Sequence, residues 1–161
     1  TISPHRMALS TVNREGTSFT LIDDSFNANP DSMKAGLNGL KAWNSNDGKE
    51  PFRVALLGAM LELGADETAL HTSIGTYADE LGIDAIIAVG SAQDQHLDAL
   101  AQALADGARQ SQSASVDCVH DIDAAEQLVI DLARNHPDAV VLLKGSHASG
   151  LSALAERWTK N

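Results

Sequence analysis

A dense group of polar residues follows a short hydrophobic run near the start of the chain. The run ends on Asp23-Asp24, and Asn27, Asn29 and Pro30 follow within the segment LIDDSFNANPDSM (21–33). Carboxylate and amide oxygens can accept hydrogen bonds from a ligand, and they can equally satisfy backbone N–H groups in an Asx turn. The segment is therefore consistent with a ligand site and also with a turn.

A second candidate lies near the end of the chain, where a very apolar run is followed by Lys144, Gly145 and Ser146. A cation beside the start of a helix favours an anion such as a phosphate or a carboxylate. The alternative is a lysine whose ammonium reaches solvent. His71 falls inside a predicted helix and suits a packed or an exposed histidine better than a catalyst. The other five histidines lack the spacing of metal ligands.

Several common catalytic and phosphate-binding motifs are missing from the sequence. It has no GxxxxGK[ST] loop, no GxGxxG after the first strand and no GxSxG nucleophile elbow. A phosphate cradle for an ATP-dependent reaction would therefore have to lie outside these residues.

The single Cys118 excludes an internal disulfide and a CxxC metal site, so we expect a small core residue and a reducing compartment.

The elements that must position these residues alternate between strands and helices. Buried or alternating apolar runs predict strands at 7–12, 17–24, 52–58, 84–90, 115–120 and 138–145. Apolar residues at helical spacing predict helices at 31–43, 65–82, 91–108, 121–136 and 146–160. The first two strands flank Asn13 to Gly16 and predict an antiparallel hairpin. The sequence thus predicts an α/β fold: an open, mostly parallel sheet of about six strands with an antiparallel N-terminal edge hairpin and helices on both faces.

Composition limits the classes of function. The 161 residues are 43% hydrophobic and 20% charged, which is typical of a globular chain, and we expect one domain over 1–161. A net charge of −11 argues against a nucleic-acid-binding surface. No apolar run approaches the roughly 20 residues of a membrane span, and the start of the chain does not resemble a secretory signal.

The predicted sheet brings the candidate residues to one edge. Ligands of open α/β sheets bind beyond the carboxyl ends of the strands, where Asp23-Asp24 and Lys144 both fall. Adjacent residues at a strand end point to opposite faces, so the two aspartates do not form one acid/base pair. We expect one of the two carboxylates to face the cleft and the other to cap the turn.

Four segments together resemble the C-terminal domain of the Mur ligases in order and spacing: LIDDSFNANPDSM, VALLGAMLELG, HTSIGTYADELGIDAIIAVG and VVLLKGSHASGL. The resemblance runs from about Arg6 to the last helix. Its first two segments are most similar to members that join D-alanyl-D-alanine to UDP-N-acetylmuramoyl-tripeptide (UDP-MurNAc-tripeptide). A Mur ligase specific for another amino acid is the alternative within the family.

The resemblance implies a cytoplasmic, three-domain enzyme of peptidoglycan precursor synthesis, of which this chain is the last, Rossmann-like domain. An N-terminal domain would bind the UDP-sugar peptide, and a central domain would hold ATP and Mg²⁺ with a phosphate loop. The family reaction phosphorylates the peptide carboxylate from ATP, and the amine of D-Ala-D-Ala then attacks the acyl phosphate. The chain alone is expected to be inactive.

The resemblance also implies roles for individual residues. Arg6 matches a catalytic arginine that reaches the phosphates from the domain entrance, and Asp24 matches the aspartate at the nucleotide ribose. Asn27 and Asn29 would line the loop near the nucleotide and the incoming amine. Lys144 and Ser146 would face the dipeptide.

Three residues depart from the family pattern. His5 stands where glycine is common, Phe26 replaces a tyrosine, and Ala59 replaces an acidic residue.

Two functions from other classes stay open at this point. Signalling receiver domains also carry an early acidic pair and a late lysine, but they need an aspartate at the end of the third parallel strand. The corresponding strands here end in LLG and AVG. A stand-alone nucleotide-binding module would need the phosphate-binding glycines that the sequence lacks.

Overall fold

The computed structural model describes residues 4–160. Within that range the strands are β1 (Ala8–Arg14), β2 (Thr17–Asp23), β3 (Arg53–Gly58), β4 (Ala85–Val89), β5 (Ser115–Val119) and β6 (Val140–Lys144). The α-helices are α1 (Pro30–Ala42), α2 (Glu67–Glu80), α3 (Gln95–Ala108), α4 (Ile122–Asn135) and α5 (Leu151–Thr159). Short 3-10 turns at Gly64–Asp66 and His147–Ser149 precede α2 and α5.

All six strands form one sheet in the order β1-β2-β6-β3-β4-β5. β1 pairs antiparallel with β2, and the other neighbours are parallel. Asp23 at the end of β2 is in register with Leu143, and Lys144 at the end of β6 is in register with Leu57 of β3. The predicted fold class is therefore confirmed, and the carboxyl ends of β2, β6 and β3 lie side by side.

The helices divide between the two faces of the sheet. Apolar residues of α1, α2 and α3 pack in one buried cluster, and those of α4 and α5 pack in another. Right-handed crossovers require this division, because the chain moves one way along the sheet through β3, β4 and β5 and then returns to β6. The loop after β6 therefore leaves towards the opposite face from the loops after β2 and β3, which opens a crevice between them.

The N-terminal hairpin is tighter than predicted. β1 continues to Arg14, so the connection consists of Glu15 and Gly16 alone. Their φ angles are 49° and 77°, which is the combination that a two-residue type I′ turn requires. The predicted hairpin is confirmed, but the connection predicted over Asn13 to Gly16 was too long.

Three helices begin later than the apolar spacing predicts. The Asp94 side chain accepts hydrogen bonds from the backbone N–H groups of His96 and Leu97, so α3 starts at Gln95. At the end of the chain, Gly150 takes a left-handed φ of 81° and separates a 3-10 turn from α5. α2 likewise follows a 3-10 turn. Pro30 is the first residue of α1, one residue before the predicted start, because its fixed φ suits the first turn of a helix.

The core is built mainly from aliphatic side chains, with one edge-to-face pair between Phe19 and Trp158. Cys118 is half-buried against the cluster of α1, α2 and α3, and burial raises the pKa of its thiol.

In residues 4–160 no helix has the length and apolarity needed to cross a bilayer. The same range contains no group of three or more His, Cys, Asp or Glu side chains placed to hold a metal ion.

Candidate functional site

The two aspartates of the β2–α1 connection point to opposite faces of the sheet, as predicted. The Asp24 carboxylate lies on the α1 side, where it meets Lys144. The Asp23 carboxylate lies on the α5 side, where it meets His5, whose ring also contacts Glu156 of α5. The alternation of side chains along β2 thus separates one acidic pair into two distinct clusters.

Lys144 is buried, and its ammonium is held by the β2–α1 loop. Nζ lies 2.8 Å from Asp24 Oδ2 and donates to the backbone carbonyls of Asn27, at 2.9 Å, and Asp24, at 3.4 Å. The Lys144 side chain is only 4% exposed, so the interpretation as a solvent-reaching lysine was wrong. Because all three ammonium donors face protein oxygens, this lysine fixes the loop that carries Asp24.

Helix α1 approaches this ion pair closely because residue 36 is a glycine. A Cβ at Gly36 would lie 2.8 Å from Lys144 Cδ and 3.3 Å from Asp24 Oδ2. Any larger residue there would push on the pair. The small residue in the helix and the long lysine in the strand therefore fit each other, a match that helical spacing in the sequence does not reveal.

Asn29 forms the N-cap of α1. Its Oδ1 accepts a hydrogen bond from the Ser32 N–H at 2.8 Å, and the Ser32 hydroxyl accepts from the Asn29 N–H at 3.0 Å. This reciprocal capping uses the side-chain oxygen of Asn29 and leaves its amide NH₂ for the groove. Asn27 contributes its carbonyl to Lys144, and its side chain is exposed beside the groove.

Arg6 lies at the mouth of this groove and is exposed. Its guanidinium carbon lies 3.8 Å from the centroid of the Phe26 ring, a cation–π contact. Within residues 4–160, no carboxylate lies within ion-pair distance of the guanidinium. The groove, which we call the Asp24 groove, has a volume of about 250 Å³ and is lined by Arg6, Asp24, Phe26, Asn27, Asn29, Ser32 and Lys144. A cation, a carboxylate and two amides at this edge suit a polar, anionic ligand.

The Asp23 carboxylate is buried in a second cluster that the sequence did not predict. Oδ2 lies 2.6 Å from His5 Nδ1, and Oδ1 accepts from the Ser25 N–H at 3.2 Å and the Ser25 hydroxyl at 2.5 Å. Asp23 therefore caps the turn, as expected, and also binds a histidine 18 residues away. The one signal in the sequence was His5 itself, at a position where the family usually has glycine.

Burial alone would lower the pKa of His5, but the hydrogen bond and charge of Asp23, with those of Glu156, outweigh it and raise the pKa above its ordinary value. His5 and Ser25 also line a larger groove, which we call the α5 groove. Its volume is about 600 Å³, and its other lining residues are Phe26, His147, Ser152, Ala153 and Glu156.

Ser146 lies apart from both grooves. It is buried, its N–H donates to the Ala59 carbonyl at 2.9 Å, and its hydroxyl has no hydrogen-bond partner within the described part of the chain. The structure therefore brings together Arg6, Asp24, Asn27, Asn29 and Lys144, and leaves Ser146 behind the β3–α2 loop.

His71 holds the β3–α2 loop from beneath. It is fully buried, its Nε2 accepts from the Met60 N–H at 2.9 Å, and its Nδ1 donates to the Glu67 carbonyl at 2.7 Å. These partners require the neutral ring with the proton on Nδ1, and burial lowers the pKa of His71 in agreement. Of the two environments expected for His71, packed or exposed, the structure shows the packed one.

A polar cavity of about 340 Å³ lies at the opposite end of the sheet. It is lined by residues at the amino ends of β3, β4 and β6, among them Arg53, Asp84 and Asp138. Ligands of parallel sheets bind at the carboxyl ends, where the Asp24 groove lies. We therefore take the Asp24 groove as the candidate site.

Comparison with known proteins agrees with this geometry. The sequence model of the family "Mur ligase, glutamate ligase domain" matches residues 5–147. The UDP-N-acetylmuramoyl-tripeptide--D-alanyl-D-alanine ligase of Mycobacterium tuberculosis is 38% identical over 161 residues. That match covers 96% of this chain and 31% of the relative, so the chain spans about a third of the length of the curated proteins it resembles.

Solved structures show the same fold. A crystal structure of MurF from Acinetobacter baumannii superimposes with a TM-score of 0.73 at 24% identity, over 97% of this chain and 30% of that one. MurF ligase from Thermotoga maritima, solved in complex with ADP, superimposes with a TM-score of 0.66 at 21% identity, over 98% of this chain and 31% of that one. The matched segment, the strand order and the site at the carboxyl ends of the strands lead to one conclusion: the chain belongs to the Mur ligase family, as its C-terminal, glutamate ligase domain.

Proposed function

We propose that this chain, over residues 1–161, is the C-terminal domain of a three-domain, cytoplasmic, ATP-dependent ligase. The enzyme would add D-Ala-D-Ala to UDP-MurNAc-tripeptide during peptidoglycan precursor synthesis. The observation that supports this most is the Asp24 groove, in which an exposed guanidinium and a fixed carboxylate share one sheet edge. The activity named for relatives at 38% identity supplies the substrate class.

In this proposal Arg6 and Asp24 face the nucleotide. The Arg6 guanidinium reaches towards the transferring phosphate and stabilises the charge that spreads over its oxygens. Asp24, which Lys144 and the Met7 N–H hold in place, accepts hydrogen bonds from the ribose hydroxyls. The ADP complex of the Thermotoga maritima relative is consistent with a nucleotide as the ligand of this family.

Asn27 and Asn29 contribute their free amide groups to the same groove, close to the incoming amine. Lys144 was expected to face the dipeptide, but its contacts favour a different role, in which it positions Asp24 and Asn27 from behind. Ser146 keeps the proposed role at the dipeptide. Its unpartnered hydroxyl becomes available to a ligand only if the β3–α2 loop, which contacts its backbone, moves.

The groove is one half of a site, and we assign the other half to the upstream domains. Mg²⁺ would be held mainly by the central domain and would supply charge neutralisation for the ATP phosphates. An acyl phosphate hydrolyses if water reaches it, so a domain that closes over the reacting groups protects it. Phosphoryl transfer depends mainly on positioning and charge stabilisation, which Arg6 on a closing domain can provide.

The test uses the full-length protein that contains this chain, purified and supplied with MgATP and UDP-MurNAc-tripeptide. D-Ala-D-Ala should release phosphate and ADP and should give the amide product, identified by mass. D-glutamate and L-lysine should give no product. A product with one of these amino acids in place of the dipeptide would move the enzyme to another Mur ligase subgroup.

A second measurement separates the proposal from a stand-alone nucleotide-binding module. Calorimetric titration of residues 1–161 with MgATP or ADP should show weak or no binding, and the full-length protein should bind. Tight binding or ATP turnover by this chain alone would contradict the proposal.

A further inference from the structure

We propose that His5 is a positioning residue whose imidazole ring clamps the entrance segment, residues 4–7, between the end of β2 and helix α5. The clamp holds Arg6 at the mouth of the Asp24 groove. This inference rests on the proposed function, because Arg6 is the residue that it positions. Its structural half, the clamp itself, can be tested without any catalytic activity.

Both ring nitrogens of His5 face carboxylates from different parts of the chain. Nδ1 lies 2.6 Å from Asp23 Oδ2 at the end of β2, and Nε2 lies 3.2 Å from Glu156 Oε1 in α5. A carboxylate accepts hydrogen bonds only, so two such contacts require a ring that carries both protons. A doubly protonated His5 joins two elements that are separated by 133 residues.

The backbone of the entrance segment is fixed to the β2–α1 loop as well. The His5 carbonyl accepts from the Phe26 N–H at 2.9 Å, and the Met7 N–H donates to Asp24 Oδ1 at 3.2 Å. His5 and Met7 both have left-handed backbone angles, with φ of 63° and 50°. Residues with a side chain rarely adopt this region, so contacts of the ring must compensate for the unfavourable backbone at residue 5.

Arg6 lies between these two anchored residues. Its guanidinium stacks on Phe26, the residue whose N–H binds the His5 carbonyl. The direction of the Arg6 side chain therefore depends on the segment staying on the loop. Release of His5 would leave Arg6 attached through Met7 and the aromatic contact alone.

The charges around His5 decide the pH range of the clamp. Asp23 and Glu156 contact the ring, and Lys160 pairs with the second oxygen of Glu156 at 2.6 Å. His147 lines the same α5 groove, and the Asp24–Lys144 pair and Arg6 lie on the other side of the loop. The two carboxylates raise the pKa of His5 above its ordinary value of about 6.5, so the clamp is closed below that value and opens as pH rises through the raised pKa.

The experiment compares the full-length protein with His5→Gly and with the control His120→Gln. Glycine adopts the left-handed angle freely, so His5→Gly removes the ring without adding backbone strain. His120 forms an equally short contact with a carboxylate, 2.8 Å to Asp98, at the distant β5 edge. Hydrogen exchange is measured for peptides that contain the amides of Met7 and Phe26 at pH 6 and pH 9, with correction for intrinsic rates.

We expect about fivefold faster exchange of these peptides in His5→Gly at pH 6, the same loss of protection in the wild type at pH 9, and no change in His120→Gln. In ligase assays, His5→Gly should lower kcat about tenfold with KM for MgATP within about twofold, and should remove the alkaline limb of the kcat profile. Glu156→Gln, on the exposed side of the ring, should give a smaller shift in the same direction.

Unchanged exchange in His5→Gly or, should that variant not fold, in Glu156→Gln would overturn the clamp. Changed exchange with an unchanged kcat profile would overturn the positioning of Arg6. If the wild type makes no product from the proposed substrates, the proposed function fails, and exchange alone still decides whether the clamp exists.

Discussion

The ammonium of Lys144 lies 2.8 Å from the carboxylate of Asp24, at the carboxyl ends of two neighbouring parallel strands. These residues are 120 positions apart in the chain and both side chains are largely buried. The pair fixes the charge and the direction of Asp24 while its carboxylate still borders the groove. Lys144, at the end of its strand, thus positions the neighbouring loop. The exposed cation that borders the groove is Arg6.

A double-mutant cycle should detect this coupling. Asp24→Asn leaves a buried ammonium without its counter-charge and should lower the free energy of unfolding by about 3 kcal/mol. Lys144→Met should lower it by a similar amount, and the double variant by clearly less than the sum. Urea unfolding of the four proteins measures the coupling. Strict additivity would mean that the pair contributes nothing to stability.

His71 should make the protein less stable in acid. Its native pKa is lowered, so below the unfolded value of about 6.5 the unfolded state binds a proton that the native state does not. Stability should therefore fall as pH drops from 7 towards 5, by at most about 1.4 kcal/mol per pH unit for this group. The difference in unfolding free energy between the wild type and His71→Gln should shrink over that range. A constant difference would show that folding leaves the pKa of His71 unchanged.

Glu126 should stabilise the α4 and α5 face of the sheet through its buried hydrogen bonds. Its carboxylate accepts from Arg14 Nε at 3.1 Å, Arg157 Nη1 at 2.9 Å and Trp158 Nε1 at 2.7 Å. Glu126→Ala leaves Arg14 Nε and Trp158 Nε1 without this acceptor, although Arg157 keeps Asp123, and should cost about 3 kcal/mol. The control is Asp123→Ala, which removes an exposed partner of the same Arg157 and should change stability by less than about 0.5 kcal/mol. Equal effects in thermal or urea unfolding would refute the assignment.

The contact between α2 and α3 depends on a glycine at position 75. A Cβ there would lie 1.9 Å from the Leu104 carbonyl oxygen, so Gly75→Ala should force the helices apart and cost about 3 kcal/mol. Gly39→Ala in α1 is the matched control, because its Cβ would meet only the flexible end of Met7. Alanine favours the helix there, and the change should be neutral or stabilising by up to about 1 kcal/mol. Similar losses in both variants would contradict the close helix packing.

The sequence was sufficient for the fold because its buried strands are continuous apolar runs and its helices keep a regular stripe. Helix starts were less predictable, since Asp94 and Gly150 end or delay a helix through hydrogen bonds and backbone angles that apolar spacing does not encode. The candidate site was located from the strand ends, but its pairings were not. The pairing of Asp24 with Lys144 and of Asp23 with His5 depends on two things: the order of the strands and the direction of the side chain at each strand end. Neither can be read from the local sequence pattern.

The central claim is that Asp24 faces the nucleotide in the assembled enzyme. The most direct measurement is KM for MgATP in the full-length protein carrying Asp24→Asn/Lys144→Met, with Asp31→Asn as the control on the exposed first turn of α1. The double variant leaves no buried unpaired charge, and Lys144→Met alone measures the effect of the lost hydrogen bonds to the loop, so a defect larger than that of Lys144→Met belongs to the lost carboxylate. We expect KM to rise at least about tenfold, as for a lost hydrogen bond to a charged group, and no change in Asp31→Asn. A wild-type KM in a folded double variant would contradict the account and remove Asp24 from the nucleotide site.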